Sequence, residues 1–306
     1  MNGMVAMRLD ELLRRARELL AEAGIAEAAT DARLLVAHIT QTGPHEALLR
    51  PDLMVDAAHV STVFDAVTHR AGGEPVHRII GRREFYGLPF RLSPATLEPR
   101  PDTEILVDAV LSHARGRASS RAESPGVAEM RLEQGAPRIL DLGTGSGAIA
   151  IALLHELPEA TSVAVDISAQ ALETAASNAQ LNGVDMRFVA LRSDWFSSVK
   201  DSFDIIVSNP PYIETDAVAS LEREVREHDP VAALDGGSDG LSAYRLIAGH
   251  ADPYLMPDGI VAVEIGAGQA KAVVELFARN GYALVESRKD LGGHERALVF
   301  ARAQQM

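Results

Sequence analysis

Apolar residues recur at helical spacing in the first part of the chain. Over residues 9–23 they return every three or four positions, which predicts an amphipathic helix. Similar patterns follow over residues 30–39 and 56–69, and the breaker segment Gly72-Gly73-Glu74-Pro75 ends them. The pattern therefore predicts a small helical domain over residues 1–72.

After this break, short apolar runs replace the helical pattern. Residues 76–80 and 84–92 are typical of the two strands of a β-hairpin, so we predict a hairpin linker over residues 73–98. Over residues 99–306, apolar runs alternate with helical segments, which predicts an α/β domain with a doubly wound, mainly parallel sheet. Residues 115–137 interrupt this alternation with Gly, Ser, Pro and mixed charges, and we expect them to form a mobile surface loop.

The most informative motif is Asn209-Pro210-Pro211-Tyr212, which directly follows the buried strand predicted over residues 203–208. Two prolines remove backbone N–H donors and leave the carbonyls, while Asn209 adds a side-chain carbonyl and Tyr212 a flat ring. Open α/β sheets bind ligands at the carboxyl ends of their strands. The motif therefore predicts a slot for a planar group that donates two N–H bonds, which is a primary amide or an exocyclic amine.

The second motif is the glycine-rich turn Asp141-Leu142-Gly143-Thr144-Gly145-Ser146-Gly147, which lies between a predicted strand and a predicted helix. Backbone can approach a ligand closely at such a turn, so the pattern indicates a nucleotide-type cofactor. Gly143, Gly145 and Ala148 also fit the dinucleotide fingerprint, which makes a nicotinamide or flavin an alternative. A carboxylate at Asp141 would repel a pyrophosphate, whereas it suits the ammonium group of S-adenosyl-L-methionine, which has no phosphate.

Two acidic positions follow the next two predicted strands. Asp166 is placed to bind the ribose hydroxyls, and Asp194 with Trp195 offers adenine an acceptor and a flat surface. We therefore predict a site for S-adenosyl-L-methionine, with S-adenosyl-L-homocysteine as the product. The predicted cofactor-binding residues are Asp141, Gly143, Thr144, Gly145, Ser146, Gly147, Asp166, Ile167, Asp194, Trp195 and Asn209.

These motifs together resemble a known family. The glycine-rich turn followed by Asn-Pro-Pro-Tyr is similar to class I S-adenosylmethionine-dependent methyltransferases that act on a planar nitrogen. The stretches at residues 78–87, 98–104 and 235–241 narrow the resemblance to the protein-(glutamine-N5) methyltransferases of peptide chain release factors, the HemK/PrmC family. Adenine and guanine N-methyltransferases share Asn-Pro-Pro-Tyr, so that tetrapeptide does not identify the substrate. The stretch Pro-Arg-Pro-Asp-Thr-Glu at residues 99–104 distinguishes the glutamine methyltransferases from them. Glu98 departs from the pattern, since we expect an apolar residue there.

The resemblance implies a seven-stranded methyltransferase sheet with its last strand antiparallel, and a helical domain that docks a protein substrate. The implied reaction is methylation of the glutamine side-chain amide in the Gly-Gly-Gln loop of class I release factors. The residues implied to be catalytic are Asn209, Pro210 and Tyr212, and the other residues of the substrate slot are Pro211, Arg100, Thr103 and Glu104. The alternatives are a glutamine methyltransferase of a ribosomal protein, a nucleic-acid exocyclic-amine N-methyltransferase and a non-catalytic scaffold.

Composition and charge limit the number of domains, the cofactors and the partners that we expect. The chain has 306 residues, of which 47% are hydrophobic, and this is enough for two domains with a sizeable core. It has no cysteine, and its ten histidines are scattered, so we expect neither disulfides nor a metal. The net charge of −14 disfavours a nucleic-acid partner, whose binding depends on Lys and Arg. No apolar run suits a signal peptide or a membrane span, so we expect a cytoplasmic protein without membrane attachment.

Overall fold

The computed structural model describes residues 5–43, 45–122 and 136–303. The chain divides into two compact units, a helical unit of Met1–Arg82 with Glu222–His228 and a sheet unit of Arg83–Leu221 with Asp229–Met306. The helical unit therefore extends beyond the boundary predicted at residue 72. It also recruits a short segment from far along the chain, which sequence spacing does not reveal.

Helices with one apolar face form the helical unit. Leu12, Leu35 and Val63 are fully buried in its core, and Arg70 is buried where it donates to Asp31 (2.6 Å). Arg70 also pairs with Glu224 (2.7 Å), which attaches the recruited segment. The elements of this unit are β1 (Met7–Arg8), α1 (Leu9–Glu22), α2 (Ala28–Thr40), α3 (Glu46–Leu49), β2 (Met54–Val55), α4 (Ala57–Ala71), α5 (Val76–Ile80) and α10 (Arg223–His228).

The hairpin lies later in the chain than predicted. Its strands are β3 (Arg82–Phe85) and β4 (Leu88–Arg91), and the two turn residues have positive φ angles, as two-residue hairpin turns require. The prediction of a strand over residues 76–80 was wrong, because this segment forms the helix α5. Gly81, with φ of 75°, ends that helix in the left-handed conformation that glycine adopts without strain.

The sheet unit is built on seven strands in the order β10-β11-β9-β8-β5-β6-β7. Every pairing between β9, β8, β5, β6 and β7 is parallel, whereas β11 is antiparallel to both of its neighbours. This arrangement confirms the predicted fold. The strands are β5 (Arg138–Leu142), β6 (Thr161–Asp166), β7 (Phe188–Arg192), β8 (Phe203–Ser208), β9 (Leu255–Glu264), β10 (Tyr282–Lys289) and β11 (Glu295–Arg302).

Successive strand residues point to opposite faces of the sheet, so the strands place apolar side chains on both faces. Helices cover each face and bury these side chains. Ile139 of β5 belongs to one core, and its neighbour Leu140 belongs to the other. The helices on the first face are α6 (Glu104–Ala122), α7 (Ala148–Glu156) and α8 (Ala169–Leu181). Those on the second face are α11 (Ser242–His250) and α12 (Ala270–Arg279), and the short α9 (Thr215–Val218) follows β8.

The loop predicted over residues 115–137 begins later than expected. Helix α6 continues through Ala122, and Arg115 within it pairs with Glu156 at the end of α7 (2.7 Å). Residues 123–135 lie outside the described part of the chain. Within the described part, the helices are too short or too polar to cross a membrane.

Candidate active site

A cavity of about 640 Å³ opens where the parallel strands of the sheet unit end. Its walls come from the turns after β5, β6, β7 and β8, from the segment before α6, and from residues 230–246. This is the edge at which open α/β sheets bind ligands, and the volume lies within the usual range for a small-molecule site. The cofactor-binding residues predicted from the sequence that line it are Gly143, Thr144, Gly145, Ser146, Asp166, Ile167, Asp194, Trp195 and Asn209.

The glycine-rich turn leaves its backbone open to a ligand. At Gly145, with φ of 54°, an added Cβ would meet nothing within 4 Å, so a bound molecule can approach the backbone there. Gly147 does not line the cavity, and its role is in helix packing. An added Cβ at Gly147 would lie 2.9 Å from Ile151 and 3.2 Å from Ala175, so this glycine permits close packing of α7 against α8.

Asp141 is fully buried behind the turn and does not line the cavity. Its Oδ2 accepts a hydrogen bond from the Thr144 hydroxyl (2.7 Å), and its Oδ1 has no partner among the described residues. Burial raises the pKa of this carboxyl to about 7. Thr144 lines the cavity and Asp141 does not, so the contact of Asp141 with an ammonium group stays a prediction.

Replacing Asp141 by asparagine is expected to flatten the dependence of stability on pH. A buried carboxyl with a raised pKa favours the folded state fully below its unfolded pKa of about 4, and this contribution is lost as pH rises through about 7. The asparagine side chain keeps an acceptor for Thr144 and does not titrate. Thermal unfolding at pH 5 and pH 8 should therefore show a smaller fall in Tm for the variant than for the wild type; equal falls would contradict this assignment of the charge.

Asp166 ends β6 at the cavity and organises two turns. Its Oδ2 accepts from the backbone N–H of Gly145 (3.0 Å), and its Oδ1 accepts from that of Ser168 (2.9 Å). Asp194 is exposed to the cavity, and the half-buried Trp195 beside it has a φ of 48°, which is unusual for a non-glycine residue. The acidic and aromatic groups predicted to hold a nucleoside are therefore side by side.

Asn209 and Pro211 line the cavity, whereas Pro210 and Tyr212 are not among its lining residues, so their part in catalysis stays a prediction. The Asn209 Nδ2 donates to the Thr103 hydroxyl (3.1 Å), which leaves Oδ1 as the acceptor end of the carboxamide. Burial raises the pKa of Tyr212 to about 12, so its phenol is neutral. The tetrapeptide thus presents an oriented amide oxygen and a proline ring to the cavity.

The late glycine-rich motif supports this loop. Ile213 accepts from the backbone of Gly236 (2.7 Å), and the Gln269 side chain donates to the carbonyl of Tyr212 (2.9 Å). A Cβ added at Gly236 would lie 2.8 Å from the Cα of Tyr212 and 2.9 Å from the carbonyl oxygen of Pro211. Residues 235–241 therefore need glycine because their backbone packs directly against the loop.

Two of the three side chains predicted around the start of α6 line the cavity. Arg100 and Thr103 line the cavity, and Arg100 pairs with the buried Asp229 (2.8 Å). Glu104 does not line it, because its Oε1 accepts from the backbone N–H of Tyr86 in the hairpin turn (2.7 Å). Glu98, which replaces the expected apolar residue, is buried in an ion pair with Arg83 and lines the cavity.

Several residues of the site were not predicted from the sequence. Glu264 is buried at the end of β9, where hydrogen bonds from Thr103 and Asn209 partly oppose the rise in its pKa, to about 7, that burial causes. The sequence signal for this position was an acid directly after the apolar run of residues 260–263. Wall residues that carried no sequence signal are Ala95, Leu97, Pro230, Ala232, Ala233, Ser242 and Leu246.

The charge of the cavity distinguishes between cofactors. Arg100, the basic residue among its described lining residues, pairs with Asp229, and Glu98 pairs with Arg83. The other acidic lining residues are Asp166, Asp194 and Asp235. An acidic cavity suits the cationic S-adenosylmethionine and disfavours a pyrophosphate. The described residues include no cluster of three or more His, Asp or Glu side chains arranged to hold a metal ion.

Comparison with known proteins agrees with this geometry. Residues 11–81 match the family model described as PrmC N-terminal domain, and residues 127–227 match the Methyltransferase small domain. A methyltransferase structure from Pyrococcus furiosus shares the fold, with a TM-score of 0.50 and 18% identity over 72% of this chain and 91% of that chain.

Two curated relatives cover nearly the whole chain. The release factor glutamine methyltransferase of Agrobacterium fabrum is 50% identical over 94% of this chain and 95% of its own length. The release factor glutamine methyltransferase of Rhodospirillum rubrum is 40% identical over 97% of this chain and 86% of its own length. Together with the fold and the acidic cavity, this similarity shows that the chain belongs to the S-adenosylmethionine-dependent release factor glutamine methyltransferase family.

Proposed function

We propose that this protein methylates the side-chain amide nitrogen of the glutamine in the Gly-Gly-Gln loop of class I peptide chain release factors, a modification that belongs to translation termination. The observation that carries the proposal is the oriented carboxamide of Asn209, whose Oδ1 is the acceptor end beside Pro211 in the cavity. A glutamine flanked by glycines reaches such a narrow slot without clashes from neighbouring side chains. The names of the two curated relatives support this substrate.

The protein's main task in this reaction is positioning. An amide nitrogen is a weak nucleophile because its lone pair is delocalised into the carbonyl group. S-adenosylmethionine, when bound, supplies a methyl group on a cationic sulfur: the N–C bond forms, the C–S bond breaks with its electrons returning to sulfur, and S-adenosyl-L-homocysteine is the product. The Asn209 Oδ1 and the Pro210 carbonyl accept the two amide hydrogens and hold the nitrogen in place.

The same acceptors stabilise the transition state. The amide nitrogen gains positive charge as the new bond forms, so two oxygen acceptors bind it more strongly than they bind the neutral amide. One proton then leaves the nitrogen for solvent, and no dedicated base is required. Tyr212 packs behind the slot and helps to exclude water from it.

Several residues are suited to hold the cofactor, with no metal required. Asp166 would hold the ribose hydroxyls, and Asp194 and Trp195 would hold adenine. The turn around Gly145 would hold the methionine portion, and Asp141 supports that turn through Thr144. The acidic lining complements the positive charges of the sulfonium and ammonium groups.

Mass spectrometry of a purified class I release factor, after incubation with this protein and S-adenosylmethionine, tests the proposal. A gain of one methyl group on the Gly-Gly-Gln glutamine is the expected result. An unmodified factor in the presence of cofactor binding would redirect the search to ribosomal proteins or to nucleic acids. Since release factors act on ribosomes, we also propose a cytoplasmic location, which cell fractionation tests.

We further propose that the helical unit docks the folded release factor. Leu48 and Leu49 are large apolar side chains exposed on its surface. Leu48→Asp combined with Leu49→Asp is expected to raise KM for the folded factor about tenfold, as loss of an interface anchor does, and to leave kcat unchanged. Met186→Asp alters an equally exposed apolar residue of the sheet unit and serves as the control. An unchanged KM in the double variant would refute docking through this surface.

A further inference from the structure

A buried acid lies behind the substrate slot and has no role in the mechanism above. Glu264 ends β9, and only 2% of its surface is exposed. Its side chain interacts with the side chains of Thr103 and Asn209, and its Oε2 has no hydrogen-bond partner among the described residues. An unpaired carboxyl in a protein interior is costly, so its position beside two residues of the slot requires an explanation.

Thr103 connects this acid to Asn209. The Thr103 hydroxyl accepts the hydrogen bond from the Asn209 Nδ2 (3.1 Å), and it has a single hydrogen to donate. Thr103 also lies close enough to the Glu264 carboxyl to lower its pKa, and Asn209 lowers it to a smaller extent. Because Thr103 and Glu264 are both buried, water does not compete for these positions.

We propose that Glu264 is a positioning residue for methyl transfer, acting through Thr103 to hold the Asn209 carboxamide with Nδ2 turned into the protein and Oδ1 facing the substrate. This inference rests on the proposed function, because it concerns the amide oxygen that binds the substrate. Without an acceptor for the Thr103 hydrogen, the carboxamide loses the contact that distinguishes its two ends. A reversed carboxamide would present an N–H group to the substrate N–H groups and would repel them.

The charged and titratable groups around Glu264 leave it without a dedicated counter-ion. The positive charge of Arg296 on β11 lowers the pKa of Glu264. Arg296 itself pairs with Asp290 (2.8 Å) and with Asp102 (3.4 Å). The other titratable neighbours are Tyr212 in the loop after β8 and Tyr244 on α11, and the pKa of each is raised by burial and by the charge of Glu264. Glu264 is therefore free to change its charge near neutral pH.

Ionisation of Glu264 should strengthen the positioning chain. Burial raises the pKa of this carboxyl to about 7, so its charged fraction grows as pH rises through that value. A carboxylate polarises the Thr103–Asn209 chain and favours the positive charge that develops on the substrate nitrogen. Turnover should therefore rise with pH across this range, whereas Glu264→Gln, which keeps the shape and does not titrate, should remove this part of the rise.

The experiment compares four variants with the wild type, using a purified release factor as substrate. Glu264→Leu and Thr103→Val are each expected to lower kcat at pH 8 about tenfold, as loss of one buried hydrogen bond does, while the affinity for S-adenosylmethionine stays within about threefold. Thr103→Ser keeps the hydroxyl and should recover most of the kcat that Thr103→Val loses. Glu264→Gln should show a smaller rise in kcat between pH 6 and pH 8 than the wild type. The Tyr244 hydroxyl bonds the backbone carbonyl of Glu264 (2.9 Å), and every variant keeps that contact.

Non-additivity separates a positioning chain from independent packing effects. The double variant Glu264→Leu/Thr103→Val should be no slower than the slower single variant, because both break one chain. Full kcat in Thr103→Val and in Glu264→Gln at every pH would overturn the inference, even if Glu264→Leu failed to fold. A wild-type protein that leaves the release factor unmodified would instead overturn the proposed function and this inference with it.

Discussion

Replacing Asn209 with alanine is expected to reduce turnover by about 10²- to 10³-fold, by analogy with the loss of one aligned transition-state hydrogen bond. The affinity for S-adenosylmethionine should change by no more than a few-fold, because the turn after β5 and the acids after β6 and β7 remain. The reason for the large effect is that Oδ1 is held ready by the bond from Nδ2 to Thr103 (3.1 Å). Single-turnover kinetics and calorimetric titration separate the two quantities.

A matched control is available in Asn280, whose side chain donates only to the carbonyl of Leu276 (2.9 Å) at the end of α12. Asn280→Ala removes the same number of atoms from an exposed helix end and should leave turnover unchanged. If a folded Asn209→Ala protein methylated the release factor at the wild-type rate, the carboxamide would have no catalytic role. The slot would then have to be assigned elsewhere in the cavity.

Gly240→Ala should lower turnover by more than tenfold through displacement of the catalytic loop. An added Cβ would overlap the carbonyl oxygen of Tyr212 and lie 2.7 Å from the Nε2 of Gln269, the atom that holds this carbonyl. Overpacking of this kind typically costs about 1–3 kcal/mol of folding free energy, and here the backbone that moves is part of the slot. Kinetics of methylation and Tm, measured together, show how much of the loss is local.

A control variant measures the effect of backbone strain alone, without the steric overlap. Gly183 has the same φ of 68° as Gly240, but a Cβ added there meets nothing within 4 Å. Gly183→Ala should therefore lose about 1 kcal/mol of stability through its positive φ and should keep full turnover. Equal turnover in both variants would mean that residues 235–241 do not support the loop.

The contrast between prediction and structure is clearest in short segments. Residues 76–80 contain too few positions for helical and strand periods to be distinguished, and the hairpin prediction failed there although the neighbouring strand at β4 was recognised. Helix α6 likewise continues past Arg115, where the composition changes before the secondary structure does. Long periodic segments were easier, because each added turn or strand residue strengthens one pattern over the other.

The direction of individual side chains was also not predictable from the sequence. Asp141 and Glu104 stand in the right motifs, yet one is buried behind Thr144 and the other bonds the hairpin turn. A motif states which residues are close in the chain, whereas the side of the backbone on which each is buried depends on the helices packed around it. Glu98 shows the same limit, because its burial is compensated by Arg83, a partner that spacing alone does not identify.

The sequence by itself determined the type of cofactor turn, the acceptor slot of Asn209 to Tyr212 and the alternation of strands and helices. These features depend on contiguous residues, whose glycine, proline and β-branched side chains restrict the backbone locally. Only the tertiary structure decided that Thr103, Asn209 and Glu264 meet behind the slot and that residues 235–241 support it. The physical reason is that a parallel sheet gathers the carboxyl ends of strands distant in sequence, and burial there sets the charge and direction of each side chain.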